Sequence, residues 1–557
     1  MSNRALLKMW PYWRAACVTL AAGLVASLAA CGGQGPLPGD AGGQLFARGL
    51  DEIADLYIEP VTSRRLAISG AARLAQLDSR LGVSDSFGFG TGGALALAYN
   101  GRDIGLFAEP PDTSSREWGA LIATLIATAK QASPRLAGLP QATIEKAVFD
   151  GMTGALDRFS RYSAPEAARD QRAARDGFGG IGITLDTAHD SFRVIAVTSR
   201  GPADRGGIRP DDQLVAIDGL ATAGRSHEEV IRQLRGPVGS AVAVRVLHPH
   251  AAPRELRLRR ALVIVPTVTA SRDGDIAVFR IASFNHSTTQ RIAEGLADIQ
   301  RQTGGRLAGV VLDLRGNPGG LLDQAVSLTD LFVHDGPIIS TVGRHPASRQ
   351  YFAAAGDSIA PRTPLVVLIN GGSASAAEIV AAALQDAGRA VVVGSTSYGK
   401  GTVQTVLRLP NDGELIVTWA RLVAPSGYLL QTHGVVPTLC TADLGDDERS
   451  LEIGLQRAAA VSGAGLSARP RAALDEPAWS ELHRSCPGRA ASPAIDLKLA
   501  ERVLANPKLY SEALRNLPAA APLAQKAPGP GRPEGRPEAR PEPALTDLDR
   551  ALSSHSR

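Results

Sequence analysis

Two short stretches hold residues whose types and spacing suit covalent chemistry. The first is Asn370-Gly371-Gly372-Ser373-Ala374-Ser375-Ala376-Ala377-Glu378-Ile379. An apolar run over 365–369 passes into small residues and then into a helical pattern. Amide groups at a helix start are unpaired, and the helix dipole favours negative charge there. A serine at that point can serve as a nucleophile, with a neighbouring N–H holding an oxyanion. Ser375 and Glu378 also spell a Ser-x-x-Glu capping box, so the same residues equally describe a plain helix start.

The second stretch is Val393-Gly394-Ser395-Thr396-Ser397-Tyr398-Gly399-Lys400-Gly401-Thr402-Val403-Gln404. Lys400 stands between two glycines, which lets its backbone pass close to other chain. A lysine becomes a general base when burial strips its proton, and a serine–lysine pair then needs no histidine. An extended chain after Gly401 puts Lys400, Thr402 and Gln404 on one face, where the Gln404 oxygen can hold the lysine amine. The competing reading of Lys400 is a solvated loop lysine. Gly394 to Lys400 also comes near a phosphate-binding loop. That loop needs Ser or Thr after the lysine and then a helix, whereas Gly401 and a β-rich run come next here. A third stretch, Asp313-Leu314-Arg315-Gly316-Asn317-Pro318-Gly319-Gly320, is a tight turn whose glycine amides a substrate carbonyl can approach.

These turns need a sheet to carry them. Short apolar runs at 276–281, 309–314, 365–369 and 390–393 suit buried strands, and helical patterns at 288–302, 321–332 and 376–387 alternate with them. Ahead of this α/β region lies a β-rich module, with runs at 181–185, 192–197, 213–217 and 241–247. Its helix over 226–235 opens on a Ser226/Glu229 capping box. Residues 45–81 have helical periodicity, with Phe46, Leu50, Ile53, Ala54 and Tyr57 on one face. Residues 84–93 read as a loop, 94–107 as a hairpin about Asn100-Gly101, and 117–158 as helical again. Two or three helices are expected between Cys440 and about residue 517. The tail from 518 repeats Arg-Pro-Glu and is expected to be disordered.

The chain has 557 residues, 44% hydrophobic and 20% charged, with a formal charge of +4. Arg4, Lys8 and Arg14 precede an uncharged apolar run over 15–28 that is too short to span a membrane. Beyond this leader the chain is almost neutral, without the basic domain of a nucleic-acid binder. The run ends in Leu28-Ala29-Ala30-Cys31-Gly32, which resembles a bacterial lipobox. Cys31 is then lipidated and becomes the mature N-terminus, the alternative being an ordinary signal peptide in which Cys31 is incidental, and Gly/Pro-rich residues after it form a tether. Cys440 and Cys486 remain, either as a pair that an exported protein can bridge or as two buried free thiols.

Taken together and in order, the motifs resemble those of the C-terminal processing peptidases, or tail-specific proteases. The stretches that carry the likeness are Leu312 to Gly320, Asn370 to Ile379, Tyr398 to Gln404, Pro425-Ser426-Gly427 and Gly434-Val435-Val436-Pro437. Residues 176–265 are similar to that family's PDZ domain through Phe178-Gly179-Gly180-Ile181-Gly182-Ile183, Gly201-Pro202-Ala203-Asp204, Asp212-Gln213-Leu214 and Leu234-Arg235-Gly236-Pro237. The resemblance places the nucleophile on Ser375 rather than Ser373, the base on Lys400 and its orienting residue on Gln404. It places the oxyanion donors on Ala376 and on Gly319 or Gly320. It implies peptide hydrolysis through an acyl-enzyme, without metal or cofactor. In the PDZ domain, Gly180, Ile181 and Gly182 would receive a peptide C-terminus, with Ile183, Val230 and Leu234 lining its pocket. These apolar residues equally suit the module's core. His227 either biases tail choice or is a solvated helix residue.

The implied architecture is multidomain α/β: an α/β serine-protease core with an inserted PDZ-like β-rich domain and helical N- and C-terminal regions. Its parts are a signal peptide and lipobox (1–31), a flexible tether (32–44), a mainly helical region with an insertion (45–175), the PDZ domain (176–265), the protease core (266–440), a helical region (441–517) and the tail (518–557). The implied partners are protein or peptide substrates with apolar C-termini, an activating adaptor, the membrane through the lipid anchor and a second copy of the chain. No nucleic acid is implied. The implied location is the periplasmic side of the envelope. Gly32, where an aspartate would favour inner-membrane retention, leans the expectation to the outer membrane. The alternative function is a PDZ scaffold or chaperone with a silent protease core. Thr438 departs from the family's usual aspartate, and 84–118 and 441–557 have no counterpart in the likeness.

Overall fold

A computed structural model describes residues 40–86, 93–186, 191–356, 358–460, 471–489 and 493–515. The leader, Cys31, the first part of the tether and the tail from 518 lie outside these residues. The tether expectation is corrected at its end, because residues 40–44 already belong to the helix Asp40–Leu56. Small residues make this possible: a Cβ on Gly43 would sit 3.4 Å from the backbone of Ala120, so the helix lies close against Ser115–Ala132.

The single helical periodicity expected over 45–81 resolves into Asp40–Leu56, Ser63–Ala72 and Leu74–Leu77. Pro60 falls in the first break, and Thr62 caps the second helix by accepting from the Arg65 amide at 3.2 Å. The expected loop from 84 begins instead as the strand Leu81–Ser86, where Ser84 and Asp85 pair with Ala96 and Leu95. Its polar residues are tolerated because the strand is a sheet edge, and Asp85 meets Arg64 at 2.8 Å. The hairpin Ala94–Tyr99/Arg102–Ala108 turns at Asn100 (φ 53°) and Gly101 (φ 74°), the two positive φ values that a type I′ turn requires. Leu95 and Leu97 bury against a helical core that includes Phe46, Trp118 and Phe149.

The α/β region is built on a six-stranded sheet in the order Val268–Asp273, Ile276–Ile281, Gly309–Asp313, Leu365–Ile369, Val391–Gly394, Leu439–Cys440. The first pair is antiparallel and the rest are parallel. Alternation along each strand feeds two cores. Leu365, Val367 and Ile369 face the helices Thr288–Gln302, Leu322–Asp330 and Ala376–Asp386. Val366 and Leu368 face Ile495, Leu499 and Val503 of the C-terminal helix Pro493–Ala505. A parallel sheet must be covered on both faces, so the region after residue 440 is part of the core's second layer. Cys440 and Cys486 are joined by a disulfide, with Cα atoms 5.8 Å apart.

A second sheet was not read from the sequence. It runs Gln350–Ala353, Pro337–Val342, Glu414–Val423, Thr402–Arg408, and Arg161–Ser163 also pairs with Glu414–Val423. The β-rich module, the expected PDZ domain, has its own core of Ile181, Val194, Leu214, Val230, Leu234 and Val244, among others. The helix Pro165–Asp176 enters it and ends at Gly177 (φ 87°). That helix stands between the two domains. Asp170 accepts from Arg235 of the PDZ module at 3.3 Å, and Arg172 donates to Glu414 of the second sheet at 2.8 Å.

Candidate active site

Three turns at the carboxyl ends of parallel strands meet here, where open α/β sheets place their sites. The first follows Gly309–Asp313, the second follows Leu365–Ile369, and the third follows Val391–Gly394. Backbone bonds lock them to each other. Ala374 N–H donates to the Asn317 carbonyl at 2.9 Å, and Tyr398 N–H donates to the Ser373 carbonyl at 2.9 Å. The Asn370 side-chain oxygen accepts from the amides of Gly316 and Gly372 at 2.8 and 3.0 Å. Ser373 is fully buried and its hydroxyl donates to the Leu314 carbonyl at 2.8 Å, which makes it a strut of the turn.

Ser375 immediately precedes the helix Ala376–Asp386 with φ 56° and ψ −116°. A side chain other than glycine rarely adopts such a backbone, and non-glycine strain of this kind gathers at functional sites. Ser375, Ala376, Gly320, Lys400 and Gln404 line one cavity of about 580 Å³. Its apolar wall includes Leu322, Phe352, Ile379 and Leu422. Gly319 is pressed against the serine: a Cβ there would lie 2.8 Å from the Ser375 Cβ. Its own N–H is taken by Asn317 Oδ1 at 2.8 Å. The two glycines of the turn therefore stand differently, with Gly320 facing the cavity and Gly319 serving as a spacer.

Lys400 is fixed through its backbone. A Cβ on Gly399 would lie 3.0 Å from the Thr432 backbone, and one on Gly401 would collide with the Gln431 amide, so side chains are excluded on both sides. The side chain lies over Phe159, with Nζ 5.3 Å from the ring centroid. Burial, and then the like charge of Arg161, hold its pKa below the usual lysine value, against the opposing pull of Glu378 and Asp157. Gln404 donates through Nε2 to the hydroxyls of Thr402 and Thr418 at 2.9 and 3.3 Å. Among the described residues, no hydrogen bond joins Gln404 to Lys400.

The sequence reading gave Glu378 only the role of a helix cap. The structure gives it four donors: the amides of Ser375 (2.7 Å), Gly399 (2.7 Å) and Lys400 (2.9 Å), and the hydroxyl of Ser397 (2.5 Å). It is fully buried, and that burial raises its carboxyl pKa while the four donors oppose the rise. One side chain thus ties the serine turn to the lysine turn. The Ser-x-x-Glu spacing was the sequence signal that marked it.

In the PDZ module, Ile181, Val230 and Leu234 lie in the buried core and Ile183 is half-buried. Gly180 pairs with Ala261, while Gly182 takes φ 77° and its carbonyl accepts from Thr198. His227 stacks on Phe192 with centroids 6.0 Å apart.

Comparison with known proteins matches these two regions. Residues 275–440 match the model of peptidase family S41, and residues 170–247 match that of the PDZ domain. The chain is similar to the carboxy-terminal-processing protease of Bartonella bacilliformis, at 38% identity over 302 residues, covering 54% of this chain and 69% of the relative. It is similar also to the carboxyl-terminal-processing protease of Synechocystis sp., at 33% identity over 299 residues, covering 52% and 69%. Among solved structures, a photosystem II D1 C-terminal processing protease matches at 30% identity and a TM-score of 0.32, covering 56% of this chain and 86% of that one. With its S41 core and PDZ module, the chain belongs to the carboxy-terminal processing proteases, a family of serine proteases.

Proposed function

We propose that the protein is an endopeptidase that recognises protein C-terminal tails through its PDZ domain and hydrolyses peptide bonds with a Ser375–Lys400 pair. The observation that carries this reading is the shared cavity of Ser375, Lys400 and the backbones of Ala376 and Gly320. The neutral Lys400 amine takes the Ser375 proton as Oγ attacks the scissile carbonyl. The N–H groups of Ala376 and Gly320 receive the oxyanion. Collapse transfers the lysine proton to the departing amine and leaves an ester on Ser375. Water then attacks the ester and gives its proton to Lys400; collapse releases the carboxylate-ended product as Lys400 returns that proton to Ser375 Oγ. Gln404 lines the same cavity, and orienting Lys400 is the role the family resemblance assigns to it.

For tail recognition, the strand Ile183–Leu185 is paired among the described residues on one edge, by Val194–Val197, and its other edge would receive an added peptide strand. The Gly180–Gly182 loop lies at the start of that strand, where a terminal carboxylate would be held. The charged and apolar start of the chain and Cys31 support a periplasmic-side lipoprotein, and Gly32 favours the outer membrane. Substrates are then envelope proteins with apolar C-termini.

The decisive experiment tracks cleavage of an unfolded reporter with an apolar C-terminal tail. Protein lacking residues 1–31 is compared with Ser375→Ala and Lys400→Ala. Cleavage by the parent alone is expected. Equal cleavage by all three removes the serine–lysine mechanism, and tail binding without cleavage in all three favours the scaffold or an enzyme that waits for an activating partner.

A further inference from the structure

The family match ends at residue 440, yet the chain beyond it reaches the rear of all three turns of the site. Behind the lysine turn, the Thr396 hydroxyl donates to the Cys486 carbonyl at 2.5 Å. Thr396 precedes Ser397, whose hydroxyl holds Glu378. Behind the serine turn, Gly371 packs directly on Gly488, where a Cβ would collide with the Gly488 carbonyl oxygen. Behind the first turn, Asp496 accepts from Arg315 at 3.1 Å and from Thr441 at 2.6 Å, while Arg315 grips Asp313 at 2.8 and 2.7 Å. The disulfide closes this plate onto the sheet. It fastens Cys486, 2% exposed, to Cys440 in the strand beside Val391–Gly394, which runs directly into the lysine turn.

We infer that residues 486–488, held by the Cys440–Cys486 bond, are a positioning element of the peptidase site, with the Cys486 carbonyl and the Thr396 hydroxyl as its joint. The inference rests on the Ser375–Lys400 reading. A shift of this segment moves Thr396 and Ser397, and through Glu378 the amides of Ser375 and Lys400. Small displacements of reacting groups cost rate steeply. The tail groove lies in a separate module and is untouched. The segment therefore acts on turnover and leaves tail capture alone.

The test uses the full chain, oxidised or treated with a dithiol. The dithiol closes into its own disulfide as Cys440 and Cys486 become thiols. Thr396→Val removes the joint, Thr396→Ser keeps it, and a Cys440→Ser/Cys486→Ser variant controls for the reductant. Thr396→Val and the reduced parent are expected to lose about 10-fold in kcat with KM within about twofold, while Thr396→Ser stays near the parent. The double variant is expected to ignore the dithiol; if it does not fold, the other arms decide. A kcat that stays within about twofold in both Thr396→Val and the reduced parent overturns the inference. Amide exchange over 370–376 and 395–401 is recorded in parallel. If the parent cleaves nothing, the protease reading has failed. The positioning role then stands on faster exchange in these turns after reduction, and it falls if exchange is unchanged.

Discussion

Ser375 occupies a backbone conformation that glycine would adopt without cost, at φ 56° and ψ −116°. Strain of this kind costs about 1–3 kcal/mol. Ser375→Gly is therefore expected to abolish cleavage while raising folding stability by about 1 kcal/mol, read from denaturant midpoints. Lys400 carries a second conflict between stability and function. Its pKa in the folded protein lies below 10.5 because burial disfavours the charge. Below the folded pKa both states are protonated and the folded state bears the full burial penalty; between the folded and unfolded values the penalty fades as pH rises. Lys400→Met should thus be inactive yet more stable than the parent, with an advantage that shrinks as pH approaches the unfolded lysine value. A pH-independent difference in melting temperature would reject that account. In the parent, kcat/KM should rise with pH through the lowered lysine pKa. Glu378→Gln keeps the shape but presents an NH₂ to two of four donors, and a loss of about 100-fold in kcat with unchanged tail binding is expected from steady-state kinetics. The serine, lysine and glutamine were legible because their types and order are distinctive. Glu378 was not, since a capping box explains its spacing with a local bond, and its other partners lie a whole strand away in the chain. Sequence likewise left Gly319 and Gly320 equivalent; the hydrogen bond from Gly319 N–H to Asn317 Oδ1, and the place of Gly320 on the cavity wall, separate them.

At the level of elements, four strands of the core sheet were legible as short apolar runs because they are largely buried, whereas the exposed edge strand Val268–Asp273 and the two-residue Leu439–Cys440 were not. The same reasoning missed the second sheet. Glu414–Val423 mixes Glu414, Thr418 and Arg421 with apolar residues, and its polar side chains find partners only after distant segments arrive, as Arg172 does for Glu414. The edge strand Gln350–Ala353 is largely exposed and carries no buried stripe to read. The cover on the rear of the core sheet was equally hidden, although strands apolar on both faces require a second layer. Leu499 is fully buried there against the sheet. Leu499→Ala should cost about 2–5 kcal/mol, measured as a lower denaturant midpoint with an unchanged slope. A loss below about 0.5 kcal/mol, typical of a surface site, would mean that this helix is not part of the core.

In the whole molecule the helix Pro165–Asp176 stands between the PDZ module and the S41 core, bonded to both. The helix is bonded at both ends of its reach. Arg235, at the end of the PDZ helix His227–Leu234, lies 4.3 Å from the Phe178 ring centroid and donates to Asp170. Arg172 and Arg175 hold Glu414, whose strand pairs with Thr402–Arg408, the strand that begins two residues after Lys400. Gln171 and Arg175 themselves line the catalytic cavity. A tail peptide that tilts the PDZ helix must therefore pull on Asp170, and the same helix carries that pull to the cavity wall. Exposed ion pairs of this kind contribute about 0–1 kcal/mol to stability, so Arg235→Ala should fold normally. Its effect belongs to coupling, where differences of about 1–3 kcal/mol correspond to about 5–150-fold. The variant is expected to bind a free tail peptide within about twofold of the parent, but to lose at least about fivefold of the stimulation that this peptide gives to cleavage of a tail-less unfolded substrate. Equal stimulation in parent and variant, with binding intact, would place the link between the two modules somewhere other than this helix.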